Sequence, residues 1–397
     1  IPKTQMVSFH IITRVTRVLD GLGLEGPEAQ LCDFTVAEQN AAAEAQGVVP
    51  AAPSNYKPIL GESVTYIVAC VIINDKDEVL MIQEAKQMCA GKWYLPAGRM
   101  EKGENIMEAA AREVLEETGL DCVPTTLLAV ECAGGSWFRF VLTANVVGGE
   151  LKTPARADKE SLQAKWVGNL AEINLRASDI VHLIDRAKAH LHRGHDKSWH
   201  PHIMPSPQPH EKNLLRLVVI IKRRSTNRVH VLLSEKTAMH FPTAEINPSK
   251  SVHSTLRKFL VEIFGADLPQ HRPHGLLAVE HCNNTETVAD GNCLTLLVAF
   301  RPPLEEVPII GKCVWQESIL QERHPGVARG PLNCTNIHRY YFLFKPNYVQ
   351  SILYHVMFKY SIHHSNYHTV IKVCLWVFNL FRDYVLPLII TNMSADF

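Results

Sequence analysis

Three glutamates recur at i, i+3 and i+4 within GRMEKGENIMEAAAREVLEETGL, residues 98–120: Glu113, Glu116 and Glu117. On a helix these positions share one face. Like charges at this spacing repel by roughly a few tenths of a kcal/mol. They also lie in the later turns, where the helix dipole disfavours negative charge. Two arrangements relieve the repulsion. One is a solvated acidic face eased by Arg112, which can pair with Glu116 at i,i+4. The other is a hard divalent cation: carboxylate and carbonyl oxygens suit Mg2+ or Mn2+ and not zinc. Such a cation can act as a Lewis acid and lowers the pKa of a coordinated water.

The elements that must position these acids can be read from the same stretch. Asn105 is a good N-cap, and Glu108 follows it by three residues in a capping-box arrangement. Residues 106–118 contain neither Gly nor Pro, and Gly119 is a natural C′ residue. The expectation is a loop followed by a helix of about three and a half turns. Ile106, Met107, Ala110, Val114 and Thr118 fall on one stripe, which is expected to be core.

The full spacing is Gly98, five residues, Glu104, seven residues, then Arg112-Glu113-Val114-Leu115-Glu116-Glu117-Thr118-Gly119-Leu120. It resembles the Nudix box, G-x5-E-x7-R-E-U-x-E-E-x-G-U with U apolar, at every defined position. The resemblance implies an α/β/α sandwich around a mixed sheet. It implies that Glu113, Glu116 and Glu117, with the carbonyl of Gly98, ligate Mg2+ or Mn2+. Glu104 and Arg112 would orient the loop and the helix acids. Glu160, ahead of Ser161–Trp166, is the candidate for a further acid from a downstream loop, and either it or a box glutamate would accept a proton. The text around the box (QEAK, GKWYLPAGRMEKGE, TLLAVE, ADKESLQAKW) is similar to the vertebrate Nudix diphosphatases of the MutT type that act on 8-oxo-guanine nucleotides. That implies hydrolysis of 8-oxo-dGDP, 8-oxo-GDP and related oxidised purine diphosphates to monophosphates. It also implies Leu80 as a contact to the base and Arg99 as a contact to phosphate. Core packing for Leu80 and a surface salt bridge for Arg99 are the alternatives. Another Nudix diphosphate substrate, or nucleotide binding without turnover, remains open at this point.

Around the box the chain alternates strand and turn. TYIVACVII, VLMIQ, LLAVE, FRFVLTANV and KWV have the length and β-branched content of strands, and a helix is expected from Ser178. Trp137, Phe138 and Phe140 could stack on a purine, although core packing is the simpler use of them. The pattern then repeats. LLRLVVIIK (214–222) matches the first strand, HSTLRKFLVEIFG matches the box helix, and LLAVE recurs at 276–280. A tryptophan follows its alanine by 37 residues in both copies, Ala129 to Trp166 and Ala278 to Trp315. Shared order and spacing over about 100 residues indicate duplication. In the second copy Ala244 replaces Gly98, and Arg257-Lys258-Phe259-Leu260-Val261-Glu262 retains one acid, so a degenerate copy is expected.

The expected organisation is a flexible leader (1–60), a catalytic domain (61–189), a His/Pro-rich linker (190–212), a degenerate Nudix-like domain (213–325) and a C-terminal extension (326–397). The linker histidines could be a metal tract, but four prolines favour a solvated connection. Forty basic residues balance forty acidic ones, so a nucleic-acid-coating surface is not expected and the partner is a small nucleotide. Ten cysteines without C-x-x-C spacing read as reduced thiols. Lys3, Arg14 and Arg17 precede the first acid, a weak presequence pattern. Together these favour a cytoplasmic protein, with mitochondrial or nuclear fractions open. No window has the ~18 apolar residues of a membrane span.

Overall fold

The computed structural model describes residues 13–18, 20–192, 203–222, 229–266, 268, 271–282, 290–300, 311–317 and 388–390. Most of the expected C-terminal extension lies outside the described residues. Among the described residues no helix is long and apolar enough to cross a membrane.

The first copy is built on β1 (Thr65–Cys70), β2 (Val79–Glu84), β3 (Trp93–Tyr94), β4 (Ala97–Arg99), β5 (Leu120–Ala133), β6 (Trp137–Gly149) and β7 (Ser161–Val167). In a mixed sheet β1 lies between β6, to which it is parallel, and β4, to which it is antiparallel, and β5 closes on β6 as a long hairpin. A short strand, Leu388–Ile390, adds parallel to β5. β3, β2 and β7 form a second, antiparallel sheet. The helix Ile106–Thr118 packs across β5, β1, β4 and β7. A later helix, Val181–His192, buries Leu183, Ile184 and Ala187 against Val79, Met81, Leu95 and Val141. This is the expected α/β sandwich with a mixed sheet.

The second copy repeats these pairings. Its strands are β8 (Leu214–Lys222), β9 (Val229–Ser234), β10 (Thr243–Glu245), β11 (His271–His281), β12 (Asn292–Phe300) and β13 (Cys313–Glu317). β8 is parallel to β12 and antiparallel to β10, as β1 is to β6 and β4. β11 pairs with β12 as β5 does with β6, and β13 pairs with β9 as β7 does with β2. In chain order the helices are α1 (Val36–Glu44), α2 (Ile106–Thr118), α3 (Val181–His192) and α4 (Val252–Phe264).

The leader departs from expectation. The expected flexible leader spans residues 1–60; of these, 13–18 and 20–60 are described, and they make contacts with the second copy. Asp33 and Phe34 run beside β10: Asp33 N donates to the Thr243 carbonyl and Glu245 N to the Phe34 carbonyl. α1 starts from a Thr35–Glu38 capping box, and its Gln39 amide donates to the Glu245 carbonyl at 2.7 Å. Arg14 and Arg17 are likewise engaged, with Glu28 and Glu25. The expectation failed because the contacts to Thr243 and Glu245 lie more than 200 residues away in sequence, and a short Ala-rich helix with almost no amphipathicity does not announce its docking face.

The linker also differs where it is described. Ile203 is buried and exchanges backbone hydrogen bonds with Leu127 and the Thr126 hydroxyl of β5, while Ser206 N donates to Val279 of β11. Residues 203–210 therefore bridge the two copies. They meet again at Tyr66 of β1, which is fully buried: its hydroxyl donates to the Asp290 carbonyl at 2.6 Å and lies 2.9 Å from Asn213 Oδ1.

Candidate active site

α2 has the caps that its sequence calls for. Asn105 Oδ1 accepts from the amides of Met107 and Glu108, and the Glu108 carboxylate accepts from the Asn105 amide. Gly119 ends the helix at φ 75°, a left-handed conformation that glycine adopts without a Cβ penalty. The apolar stripe is buried through Ile106, Ala110, Val114 and Thr118.

The acid face is not the solvated one that charge alone suggests. Glu113 and Glu117 are buried, whereas Glu116 is exposed. Glu117 Oε2 accepts from the Ala97 amide of β4 at 2.8 Å. A Cβ added to Gly98 would fall 2.1 Å from the Glu113 carboxyl. Only glycine lets β4 lie this close to the helix acids.

Arg112 ties the preceding loop to this face. Its guanidinium grips both oxygens of Glu104, donates to the Arg99 carbonyl at 2.9 Å, and reaches Glu113 at 2.8 Å and Glu116 at 3.0 Å. Burial would raise the Glu104 carboxyl, but the Arg112 hydrogen bonds and the Glu101 amide hold it below its ordinary value. On the far side of the helix end, Lys152 Nζ donates to the Glu116 carbonyl and to Ser161, and Ser161 Oγ donates to the Glu117 carbonyl at 2.6 Å.

Burial pushes Glu113 up and Glu117 well up. Glu116 adds to the rise at Glu113, Glu113 adds to that at Glu117, and Lys86 opposes both. Two desolvated carboxylates beside a third, with one distant lysine and one shared arginine, make a site with an excess of negative charge. An oxygen-binding divalent cation fits this donor set.

The remaining sequence candidates fall around this centre. Arg99 is exposed at the end of β4, where the loop begins. Glu160 is half-buried ahead of β7, 3.5 Å from Lys159, and its amide donates to Asp158. Leu80 is completely buried on β2 opposite Trp166. Phe138 and Phe140 are buried, each with its ring centroid 5.8 Å from that of Tyr66, so they are core. Sequence reasoning missed Glu84, Lys86 and Arg176. Glu84 ends an apolar strand, where an acid usually marks the return to solvent, yet it is buried against Arg176 at 2.8 Å.

A second group with metal-ligand chemistry, His210, Glu280 and Cys293, lies buried in the second copy with its ligand atoms within 4.8 Å of one another. Its donors are already engaged. Arg216 grips both Glu280 oxygens, His210 bonds Glu280 at 2.8 Å, and the other His210 nitrogen meets Gln30. A guanidinium occupies the place of a cation, and this is an ion-pair network.

Mixed sheet, glycine-lined loop and acid-bearing helix together define an α/β protein with an anionic centre at a loop–helix junction. The NUDIX domain family matches residues 65–196. The 8-oxo-dGDP phosphatase NUDT18 of Homo sapiens is 41% identical over 253 residues, covering 62% of this chain and 76% of the relative. The protein of the same name from Danio rerio is 40% identical over 244 residues, covering 60% and 74%. Among solved structures, a NUDIX hydrolase from Nitrosomonas europaea is 32% identical, covering 32% of this chain and 90% of that one, with a TM-score of 0.28. The chain belongs to the Nudix hydrolase family.

Proposed function

We propose that this enzyme hydrolyses oxidised purine nucleoside diphosphates, 8-oxo-dGDP and 8-oxo-GDP among them, to the monophosphate and phosphate, and so keeps damaged nucleotides out of nucleic acids. The observation that carries the reading is the buried Glu113–Glu117 pair against Gly98. The likeness to relatives named 8-oxo-dGDP phosphatase supplies the substrate class.

Mg2+ is the cofactor of this reading, held by Glu113, Glu116, Glu117 and the Gly98 carbonyl; when bound it neutralises phosphate charge and makes a water acidic enough to attack. Arg112 and Glu104 keep the loop and the acids in register, so that little reorganisation accompanies the reaction. A box glutamate, or Glu160 from the downstream loop, accepts the proton of the attacking water. Arg99 is exposed beside the loop and meets the phosphate that leaves. Leu80, being closed off from solvent, forms the floor of the base site and touches a base only if β2 and its neighbours part. Residues 61–189 form the catalytic domain and 213–325 a degenerate copy that braces it. A cytoplasmic location, where thiols stay reduced, goes with this reading.

The test is turnover of 8-oxo-dGDP and dGDP with and without Mg2+. Metal-dependent release of 8-oxo-dGMP is expected, with the oxidised base preferred. Glu116→Gln should lose roughly 10²–10³-fold in kcat, since one charge contact in such a site contributes a few kcal/mol. Its counterpart Glu262→Gln should keep full activity. A folded protein that turns over neither nucleotide sinks the substrate assignment.

A further inference from the structure

Glu84 is the last residue of β2 and is 2% exposed. Its backbone is pinned on both sides of the loop that follows: its amide donates to the Lys92 carbonyl, and its carbonyl accepts from Gly91. One carboxylate oxygen, Oε1, accepts from Arg176 Nη1 at 2.8 Å. The other, Oε2, is buried with no hydrogen-bond partner. A buried carboxylate oxygen left unpaired is costly, on the order of 1–3 kcal/mol or more. In a native fold such a group calls for an explanation, an ordered water or a bound ion among them.

The register shows where that partner would come. Across the β2–β7 ladder Glu84 lies opposite Ser161. Ser161 Oγ holds the carbonyl of Glu117 at 2.6 Å, so Glu84 sits one strand away from the C-terminal turn of α2. Its charge is among those felt at the Glu117 carboxyl, and Lys86, two residues on, is felt at both Glu113 and Glu117. A structural ion pair with Arg176 needs one oxygen of Glu84 and uses one. The spare oxygen belongs to a side chain whose charge reaches Glu117, in a centre already short of positive charge.

We propose that Glu84 is a further carboxylate of the divalent-cation site, supplied by β2 from outside the box helix, with Arg176 as the residue that positions it. The inference rests on the cation reading given under Proposed function. Arg176 is itself steadied, its guanidinium 4.8 Å over the Tyr94 ring. Through Tyr94 and Asp179 this support continues to the buried Arg139.

The test is Mn2+ binding to the full chain, followed by electron paramagnetic resonance and calorimetry, with thermal unfolding in chelator run alongside. Glu84→Gln keeps the shape and an oxygen for Arg176. It should weaken Mn2+ affinity about 10–100-fold, the range seen when groups supporting a metal site are altered, while the metal-free protein melts no lower than wild type. The exposed control Glu172→Gln should leave the affinity unchanged. Unaltered Mn2+ affinity in a folded Glu84→Gln protein overturns the proposal and leaves the box site standing. An equal loss in the Glu172 control also overturns it, because bulk charge would then be the cause. Absence of Mn2+ binding in the wild type would remove the cation reading itself.

Discussion

α2 and α4 are two solutions to one frame. Gly98 and Ala244, Asn105 and Ser251, and Gly119 and Gly265 are each 146 residues apart, and both helices have 13 residues. At this offset Glu113 corresponds to Phe259, Glu116 to Glu262 and Glu117 to Ile263. In α2 the two inward positions carry buried carboxylates, whereas in α4 Phe259 and Ile263 are ordinary core residues. Phe34 of the leader stacks on Phe259, ring centroids 6.1 Å apart, and Asp33 pairs with β10. In the second copy the chain's own N-terminal segment therefore lies against the face that corresponds to the acid centre of the first. Caps and apolar stripe make the helix; the inward face is free to hold either a charge cluster or a hydrophobic seal. The charge cluster is the costlier choice, which is why its retention points to function.

Swapping the two faces tests this contrast most severely. Phe259→Glu would bury a lone carboxylate beneath Phe34 and should cost about 3–5 kcal/mol, the scale for an uncompensated buried charge. The reciprocal Glu117→Ile should leave stability equal or higher, because apolar replacement of buried charge is often neutral or stabilising, while turnover is lost. Chemical denaturation of both variants decides it. If Glu117→Ile destabilises as much as Phe259→Glu, the acids of α2 are structural and the contrast fails.

The two copies should also answer pH with opposite sign. Against the effect of burial, Arg216 and His210 hold Glu280 down to about 2. A depressed carboxyl stabilises the fold above its ordinary value and loses that contribution as pH falls toward about 2. Glu117 is raised by burial, so it favours the fold when protonated and becomes a liability as pH climbs past its raised value. Glu113, Glu84 and Lys86 face it, together with the Ala97 amide. A bound cation removes that liability. A fixed Mg2+ concentration should therefore stabilise more at pH 8 than at pH 5.5; at a hundred times the pH 8 dissociation constant the total stabilisation at pH 8 is about 2–3 kcal/mol, and it is smaller at pH 5.5. Glu117→Gln should flatten the difference. Calorimetry in chelator and in Mg2+ reads it, and a larger Mg2+ shift at pH 5.5 would refute it.

Much of this was legible in the chain. The limits of α2, its caps and the strands β2 and β8 follow from local pattern, because caps, periodicity and turn residues act within a few positions. The box acids were legible as a face, but their burial was not: it depends on Gly98 bringing β4 against them. The repeated LLAVE exposed the duplication while concealing its ends. Glu131 and Glu280 are both buried, and each is paired with an arginine, Arg139 from β6 and Arg216 from β8. Nothing local marks a strand-end glutamate as buried when its partner arrives from another strand. Glu84 escaped notice for the same reason, and so did the docking of the leader.

The smallest contrast lies at the helix starts. Asn105 accepts from two amides and is answered by Glu108, whereas Ser251 accepts from Ser254 alone. Asn105→Ala should cost about 1 kcal/mol and Ser251→Ala nearer 0.5, the range for N-cap removal. The functional consequences should diverge further than the energies. The Asn105 cap ends the loop that Glu104 and Arg112 hold against the acids, so its loss should slow turnover and weaken Mn2+ binding. The Ser251 cap serves a helix with no such face, and its loss should lower the denaturation midpoint slightly and leave kcat unchanged. Equal effects on kcat from the two caps would mean that the second copy feeds the centre directly, through the Tyr66 contacts between the sheets, and is more than a brace.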